Sequence, residues 1–274
     1  MTHIIPNFIY GTAWKKEATT SLVKLALQSG FRAIDTANQA KHYSEALVGD
    51  ALLWAFENGF ERSQLWLQSK FTSLDGQDHR LPYDPKADIA TQVRQSFASS
   101  LSHLHTDYLD SYLLHGPYNH PLLGEEDFIV WQVLEELYQS GAAKMIGISN
   151  VNLRQLKMLV EGAKVKPMFV QNRCYAVKGW DQEVRDFCAQ NQIHYQGFSL
   201  LTANPQIVQN VVVSDLAHKY QVACEQIIFR FCKQLGMIPL TGTSNENHMK
   251  DDLKILKFEL SATEVRLLEA LKNN

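Results

Sequence analysis

The sequence predicts an α/β chain folded as a (β/α)8 barrel, with a short N-terminal β-hairpin over one end and one domain spanning residues 1–274. Three observations carry that prediction. Short apolar runs alternate with longer amphipathic segments along the whole chain, a pattern of parallel strands joined by crossover helices. About eight such units fit into 274 residues, a length common for one barrel domain. No Gly-x-Gly-x-x-Gly follows any apolar run, which argues against a doubly wound dinucleotide fold.

The elements follow in order. Residues 4–10 with Gly11-Thr-Ala-Trp14 read as the hairpin, and 20–28 as the first helix. Strand 32–34 leads to Asp35 and a polar loop, and helix 44–57 opens just after Tyr43. Strand 65–70 ends on Lys70; the long connection 71–85 follows, with Asp84-Pro85 as a cap and first-turn proline for helix 86–104. Strand 108–114 runs into His115, and a second long connection, 116–127, carries Pro117, Pro121 and Gly124. Helix 127–139 places Trp131, Leu134 and Tyr138 on one face and stops at Gly141. Then come strand 144–148, helix 153–161, strand 168–171, helix 182–191 and strand 194–198. The valine-rich stretch 209–213 is taken as a strand that brings the count to eight, although a buried loop or helix edge fits it equally. Helix 224–234, strand 237–239 and a last helix opened by the capping box Ser261-Ala-Thr-Glu264 complete the chain.

Composition narrows the function. A formal charge of -3 with interspersed signs offers no basic stripe for nucleic acid. No apolar stretch approaches the roughly 20 residues that span a membrane, and Met1-Thr-His-Ile-Ile-Pro has none of the features of a signal peptide. Cys174, Cys188, Cys224 and Cys232 lack metal or redox spacing and read as reduced thiols of a cytoplasmic protein.

Chemistry concentrates where strands end. Asp35, Lys70 and His115 close three successive strands, and Tyr43 lies in the loop beyond the first. Barrel enzymes carry their sites on that face. A buried ammonium needs a partner, and Asp35 on the neighbouring strand is the one at hand. That pair alone is equally a structural ion pair, and His115 alone equally a core histidine. Tyr43 adds a phenol whose proton becomes useful beside an ammonium, which lowers its pKa. Together the four suit carbonyl reduction, in which an oxyanion needs a proton and local positive charge. No side chain supplies hydride, so a nicotinamide cofactor is required. An isomerase remains open on these residues alone.

The chain resembles the aldo-keto reductases across nearly its whole length. Gly11-Thr-Ala-Trp-Lys15 is similar to the family's opening turn, and Phe31-Arg-Ala-Ile-Asp-Thr-Ala37 with Glu45 and Val48-Gly49 to its first signature. Asp107-Tyr-Leu-Asp-Ser-Tyr-Leu-Leu-His115 is similar to the second, the run from Leu134 to Asn150 to the third, and Phe258-Glu-Leu-Ser261 to the usual tail. The resemblance implies a (β/α)8 barrel, an NADPH-linked reduction and the tetrad Asp35, Tyr43, Lys70 and His115. It also implies a substrate pocket with Trp14, His115 and residues of both long connections. Ser149, Asn150 and Gln171 would meet the nicotinamide carboxamide, and Phe198 would stack on the ring. Thr12, Ser199, Leu201, Thr202 and Asn204 would lie along the dinucleotide. Thr241, Gly242, Thr243, Ser244, His248 and Asp252 would take its adenosine phosphate end. Ser149-Asn150 also reads as the entry to the helix at 153. The expected partner is a small carbonyl compound, with no metal, in a monomer or weak homodimer.

Three departures from the family pattern stand out. The tyrosine commonly lies five residues after the aspartate, where this chain has Ala40; Tyr43 lies eight residues on, so the loop must be rebuilt to deliver it. Leu240 follows Ile238-Pro239 where a phosphate-gripping lysine is common, and His248 stands near a usual arginine. Losing both fixed charges weakens discrimination for the phosphate; the resemblance still favours NADPH, with room for NADH. Asn274 follows closely on the last helix, which predicts an open pocket and loose substrate selectivity. The altered spacing also motivates the alternative of a non-catalytic, cofactor-binding relative. A metal-dependent hydrolase built on His103-x-His105 is disfavoured, because the pair precedes its strand.

Overall fold

The computed structural model describes residues 5–273. Eight parallel strands close into a barrel in chain order: β1 (Ile9–Gly11), β2 (Ala33–Asp35), β3 (Trp66–Phe71), β4 (Ser111–Leu114), β5 (Ile146–Ser149), β6 (Phe169–Arg173), β7 (His194–Phe198) and β8 (Met237–Thr241). The ring closes where Ile9 and Tyr10 of β1 pair with Leu240 and Thr241 of β8. Helices cover the outside: Thr19–Ser29, Glu45–Glu57, Ile89–His103, Glu125–Gln139, Leu153–Gly162 and Gln182–Gln190 each connect consecutive strands, and Val211–Tyr220 and Cys224–Gln234 lie between β7 and β8. This is the (β/α)8 TIM-barrel architecture the alternation predicts.

Three local expectations change. Ile9–Gly11 is not the arm of a hairpin but the first barrel strand, in parallel register with β2 through Tyr10–Ile34 and Gly11–Asp35. No hairpin forms here among the described residues; Ile4, the expected start, lies outside them. A strand buried on both faces carries no alternation to announce it. The stretch 209–213 enters a helix, Val211–Tyr220, capped by Asn210, whose side chain accepts from the Val212 N–H at 2.9 Å. Val213, Leu216 and Ala217 are buried at helical spacing while Val211 is exposed, so packing of an amphipathic face overrides the β-preference of the valines. The third helix begins at Ile89, capped by Asp88 accepting from the Thr91 N–H at 2.8 Å; Asp84-Pro85 forms a turn upstream. The capping box at Ser261 forms as expected, with Ser261 N–H donating to Glu264 at 2.7 Å.

The core has two parts. The larger lies between strands and helices, with Trp131, Trp180, Phe229 and Phe231 among its fully buried side chains. The smaller fills the lumen with Ile9, Ala33, Trp66, Leu113, Met145, Phe169, Ile238 and Leu240. One lumen layer is polar. Gln68, Gln171 and Gln196 are buried there, and their amides interlock: Gln68 and Gln171 each donate to Gln196 Oε1 at 2.8 Å, and Gln196 donates back to Gln68 at 3.0 Å. A buried amide layer is tolerable only when satisfied. This one also reaches Asp35.

Candidate active site

The barrel's parallel register sets Asp35 beside Gln68, two residues before Lys70 on β3. The Lys70 side chain is fully buried, and its three protons meet three acceptors: Asp35 Oδ1 at 2.7 Å, Asp35 Oδ2 at 2.8 Å and the Thr36 carbonyl at 2.8 Å. Gln68 and Gln171 add donors to Asp35 Oδ1 at 2.7 and 3.1 Å. Thr12 sits behind the pair, its hydroxyl donating to the Asp35 carbonyl at 2.9 Å. Burial pulls the Lys70 pKa down, against the opposing pull of Asp35 and Glu45.

The lengthened loop delivers Tyr43. Backbone bonds from Thr36 to Gln68 and from Asn38 to Lys70 extend β2 along β3, and then His42 and Tyr43 N–H both turn back to the Gln39 carbonyl at 3.1 and 2.9 Å. Gln39 is itself anchored, donating to the Gly76 carbonyl at 2.6 Å. The result puts Lys70 Nζ 5.2 Å from the Tyr43 ring centre and the His115 ring 5.8 Å away, edge-on at 69°. The four strand-end residues therefore converge. Burial, and next the Asp35 carboxylate, push the Tyr43 pKa up, so the phenol holds its proton. That corrects the expectation that Lys70 lowers it: the cost of burying the charged phenolate outweighs the neighbouring ammonium. His115 is held well below its usual pKa by burial, then by Lys70 and His42, and is neutral.

One cavity of about 570 Å3 opens from this cluster across the strand C-termini to β8. Tyr43, His115 and Trp14 line one end; Phe198 and Ser199 follow; Thr241, Gly242, His248 and Asp252 line the other. Ser149, Asn150, Gln171, Leu201, Thr202 and Thr243 also reach it. Their polar groups are partly committed: Ser149 donates to the Gln171 carbonyl at 2.7 Å, and Asn150 donates to the His115 carbonyl at 2.8 Å. Asn150 and Ser199 hold positive φ angles of 55° and 56°, the sharp turns that follow β5 and β7. Thr12, Asn204 and Ser244 lie off the wall. Asn204 staples two loops instead, accepting from Ala176 N–H at 2.7 Å and donating to the Cys174 and Leu200 carbonyls at 3.0 and 2.8 Å.

Neither long connection lines the cavity, contrary to expectation. Loop 71–85 is drawn back by Tyr83, which donates to the Thr72 carbonyl at 2.8 Å, and by Gln77, which donates to the Asn38 carbonyl at 2.8 Å. In 116–127, Asp127 accepts from Tyr118 and Gly124 N–H at 2.7 and 2.9 Å. At the mouth, the exposed Trp14 stacks with His42, ring centres 4.1 Å apart.

The β8 end is acidic. Buried Asp252 has its pKa pushed up to about 7, chiefly by burial and further by Glu225 and Asp251, with Thr241 opposing. Glu225 and Asp251 share the wall with it, and Asp251 also pairs with Lys254 at 2.7 Å. Lys15 reaches this side of the cavity and donates to the Gly242 carbonyl. Sequence reasoning missed Gln68, Gln196, His42, Lys15 and Glu225. Nothing local marks them: each becomes part of the site through closure of the ring.

His103, of the pair weighed as a metal motif, contacts Glu45 at 3.1 Å behind Lys70, away from the cavity wall.

Comparison with known proteins gives a consistent picture. A family model described as the aldo/keto reductase family matches residues 8–205. The chain is 31% identical over 253 residues to the oxidoreductase YtbE of Bacillus subtilis (strain 168), covering 92% of this chain and 83% of that protein. It is 31% identical over 260 residues to the glyoxal reductase of the same organism, covering 94% and 84%. Among solved structures, an aldo/keto reductase from Brucella melitensis superposes with a TM-score of 0.81 at 26% identity, covering 97% and 95%.

Proposed function

The chain belongs to the aldo/keto reductase family, and from that premise we propose that it reduces aldehydes or ketones to alcohols with a reduced nicotinamide dinucleotide. The observation that carries this reading is the Tyr43 phenol packed over the Lys70–Asp35 pair with neutral His115 across from it.

The cavity fits such a cofactor. Its wall carries Asp35, Tyr43 and His115 of the tetrad, the aromatic ring of Phe198, and the polar turns after β7 and β8. Ser149, Asn150 and Gln171 would hold the carboxamide; Ser199, Leu201 and Thr202 the pyrophosphate; Thr241, Gly242, Thr243, His248 and Asp252 the adenosine end. When bound there, the reduced nicotinamide supplies hydride to the carbonyl carbon.

The chain's own residues manage the oxygen. Tyr43, kept protonated by burial and Asp35, donates its proton as the oxygen gains charge. Lys70 places a fixed positive charge beneath the phenol and stabilises the phenolate left behind. Asp35, held by Lys70, Gln68 and Gln171, keeps that ammonium in position. His115 orients the carbonyl. Trp14 and His42 form an aromatic wall for substrate at the mouth.

The family resemblance favours NADPH, while Leu240, Glu225 and Asp252 at the far end narrow its advantage over NADH. The same reading takes a cytoplasmic monomer or weak homodimer, in keeping with four unpaired cysteines. No described helix is long and apolar enough to cross a membrane.

The test is consumption of reduced dinucleotide with simple aldehydes by the wild type and Tyr43→Phe. Loss of about 10²–10⁴-fold in turnover with dinucleotide binding retained is expected. Dinucleotide binding without turnover of any aldehyde would favour a non-catalytic relative, and unchanged turnover in the variant would remove Tyr43 from the mechanism.

A further inference from the structure

His115 carries one ring proton, because burial, and next the Lys70 ammonium, keep it neutral. Which nitrogen holds that proton decides whether the ring offers the cavity a donor or a lone pair. A donor attracts a carbonyl oxygen; a lone pair repels it. Nδ1 is committed elsewhere, 2.7 Å from the Thr72 hydroxyl. Thr72 is 4% exposed and lies off the cavity wall, so Nε2 is the nitrogen left for a ligand.

We propose that Thr72 sets the tautomer of His115: its hydroxyl donates to Nδ1, which puts the ring proton on Nε2 and turns an N–H donor toward the cavity. The Thr72 hydroxyl has no other acceptor among the described residues, so the reverse arrangement would leave a buried O–H unpaired. Thr72 is itself firmly placed. Its carbonyl accepts from the Tyr83 hydroxyl at 2.8 Å and from Gln77 Nε2 at 3.4 Å. The His115 main chain is held as well: its backbone N–H donates to the Phe71 carbonyl at 2.8 Å, and its backbone carbonyl accepts from the Asn150 side chain at 2.8 Å. Thr72 is therefore a positioning residue that acts through His115. It follows the buried lysine by two positions, at the point where β3 gives way to a loop pulled off the cavity.

The catalytic consequence rests on the carbonyl-reductase reading; the tautomer does not. The experiment is nitrogen-15 NMR of histidine-labelled protein, with His115 assigned by His115→Asn, comparing wild type, Thr72→Val and Thr72→Ser. The wild type and Thr72→Ser should show a protonated Nε2 and a bare Nδ1, and Thr72→Val a mixture of the two forms. In parallel, Thr72→Val should lose roughly tenfold in kcat with dinucleotide affinity unchanged, and Thr72→Ser should restore it. A wild-type ring protonated on Nδ1, or a Thr72→Val ring identical to wild type, overturns the proposal. The expected tautomers in a protein that turns over no aldehyde would uphold the assignment and sink the functional reading instead.

Discussion

The two ends of the cavity are built on opposite principles. At the tetrad end the ammonium and the carboxylate are buried and each proton has a named acceptor: Lys70 is fully enclosed, and Asp35 gathers donors from Lys70, Gln68 and Gln171. At the β8 end the wall is half open, Gly242 and His248 are exposed, and Glu225, Asp251 and Asp252 crowd like charges together. The first arrangement leaves no freedom, which suits groups that must meet a reacting oxygen within a fraction of an ångström. The second leaves the grip on a ligand weak and adjustable. On the proposed reading, the chemistry is locked and the cofactor choice is not.

Lys70→Met attacks the locked end and should have the largest effect. It strands the Asp35 carboxylate in the lumen, which costs on the order of 3–5 kcal/mol. Thermal denaturation should register a drop of roughly 10 °C, together with loss of turnover. A variant that melts with the wild type would mean that the polar lumen layer does not depend on the ion pair.

Asp252 probes the open end through pH. Its folded pKa of about 7 lies above the ordinary 3.8. Its contribution to stability is therefore fully present below about pH 4 and is lost as the pH rises through 7. The loss is at most about 4 kcal/mol. Asp252→Asn should flatten that part of the profile, read from urea unfolding between pH 4 and 8. Parallel profiles for the two proteins would contradict the burial of this carboxyl.

The smallest effect is expected from Leu240→Lys, which supplies a fixed cation at the acidic end. Titration of tryptophan fluorescence should show wild-type NADPH binding only modestly tighter than NADH, and about a tenfold gain for NADPH in the variant. Equal affinities in the wild type would mean that nothing at this end reads the phosphate.

Much of the architecture is readable before folding. Strand–helix alternation, the capping box at Ser261 and the stop at Gly141, where φ is 77°, are local signals and appear where the spacing puts them. Asp35, Lys70 and His115 are conspicuous because charged or titratable side chains seldom end apolar runs without reason. Ile9–Gly11 escapes notice because a three-residue strand with Ile9 and Tyr10 both buried has no period to detect. Val211–Tyr220 is misread because valines carry a β-preference that only the neighbouring packing can overrule. Gln68 and Gln196 look like ordinary polar residues until the ring turns them into one lumen.

By itself the amino-acid order determined the barrel class and put Asp35, Lys70 and His115 at strand ends that converge. Those depend on contacts between near neighbours in the chain and on which side chains tolerate burial. Only the tertiary structure decided how loop 36–44 brings Tyr43 over Lys70, that Thr72 engages His115, and that Leu240, Glu225 and Asp252 share one wall. These groups come from strands and helices far apart in sequence, and their meeting depends on ring closure and register, which no local pattern encodes.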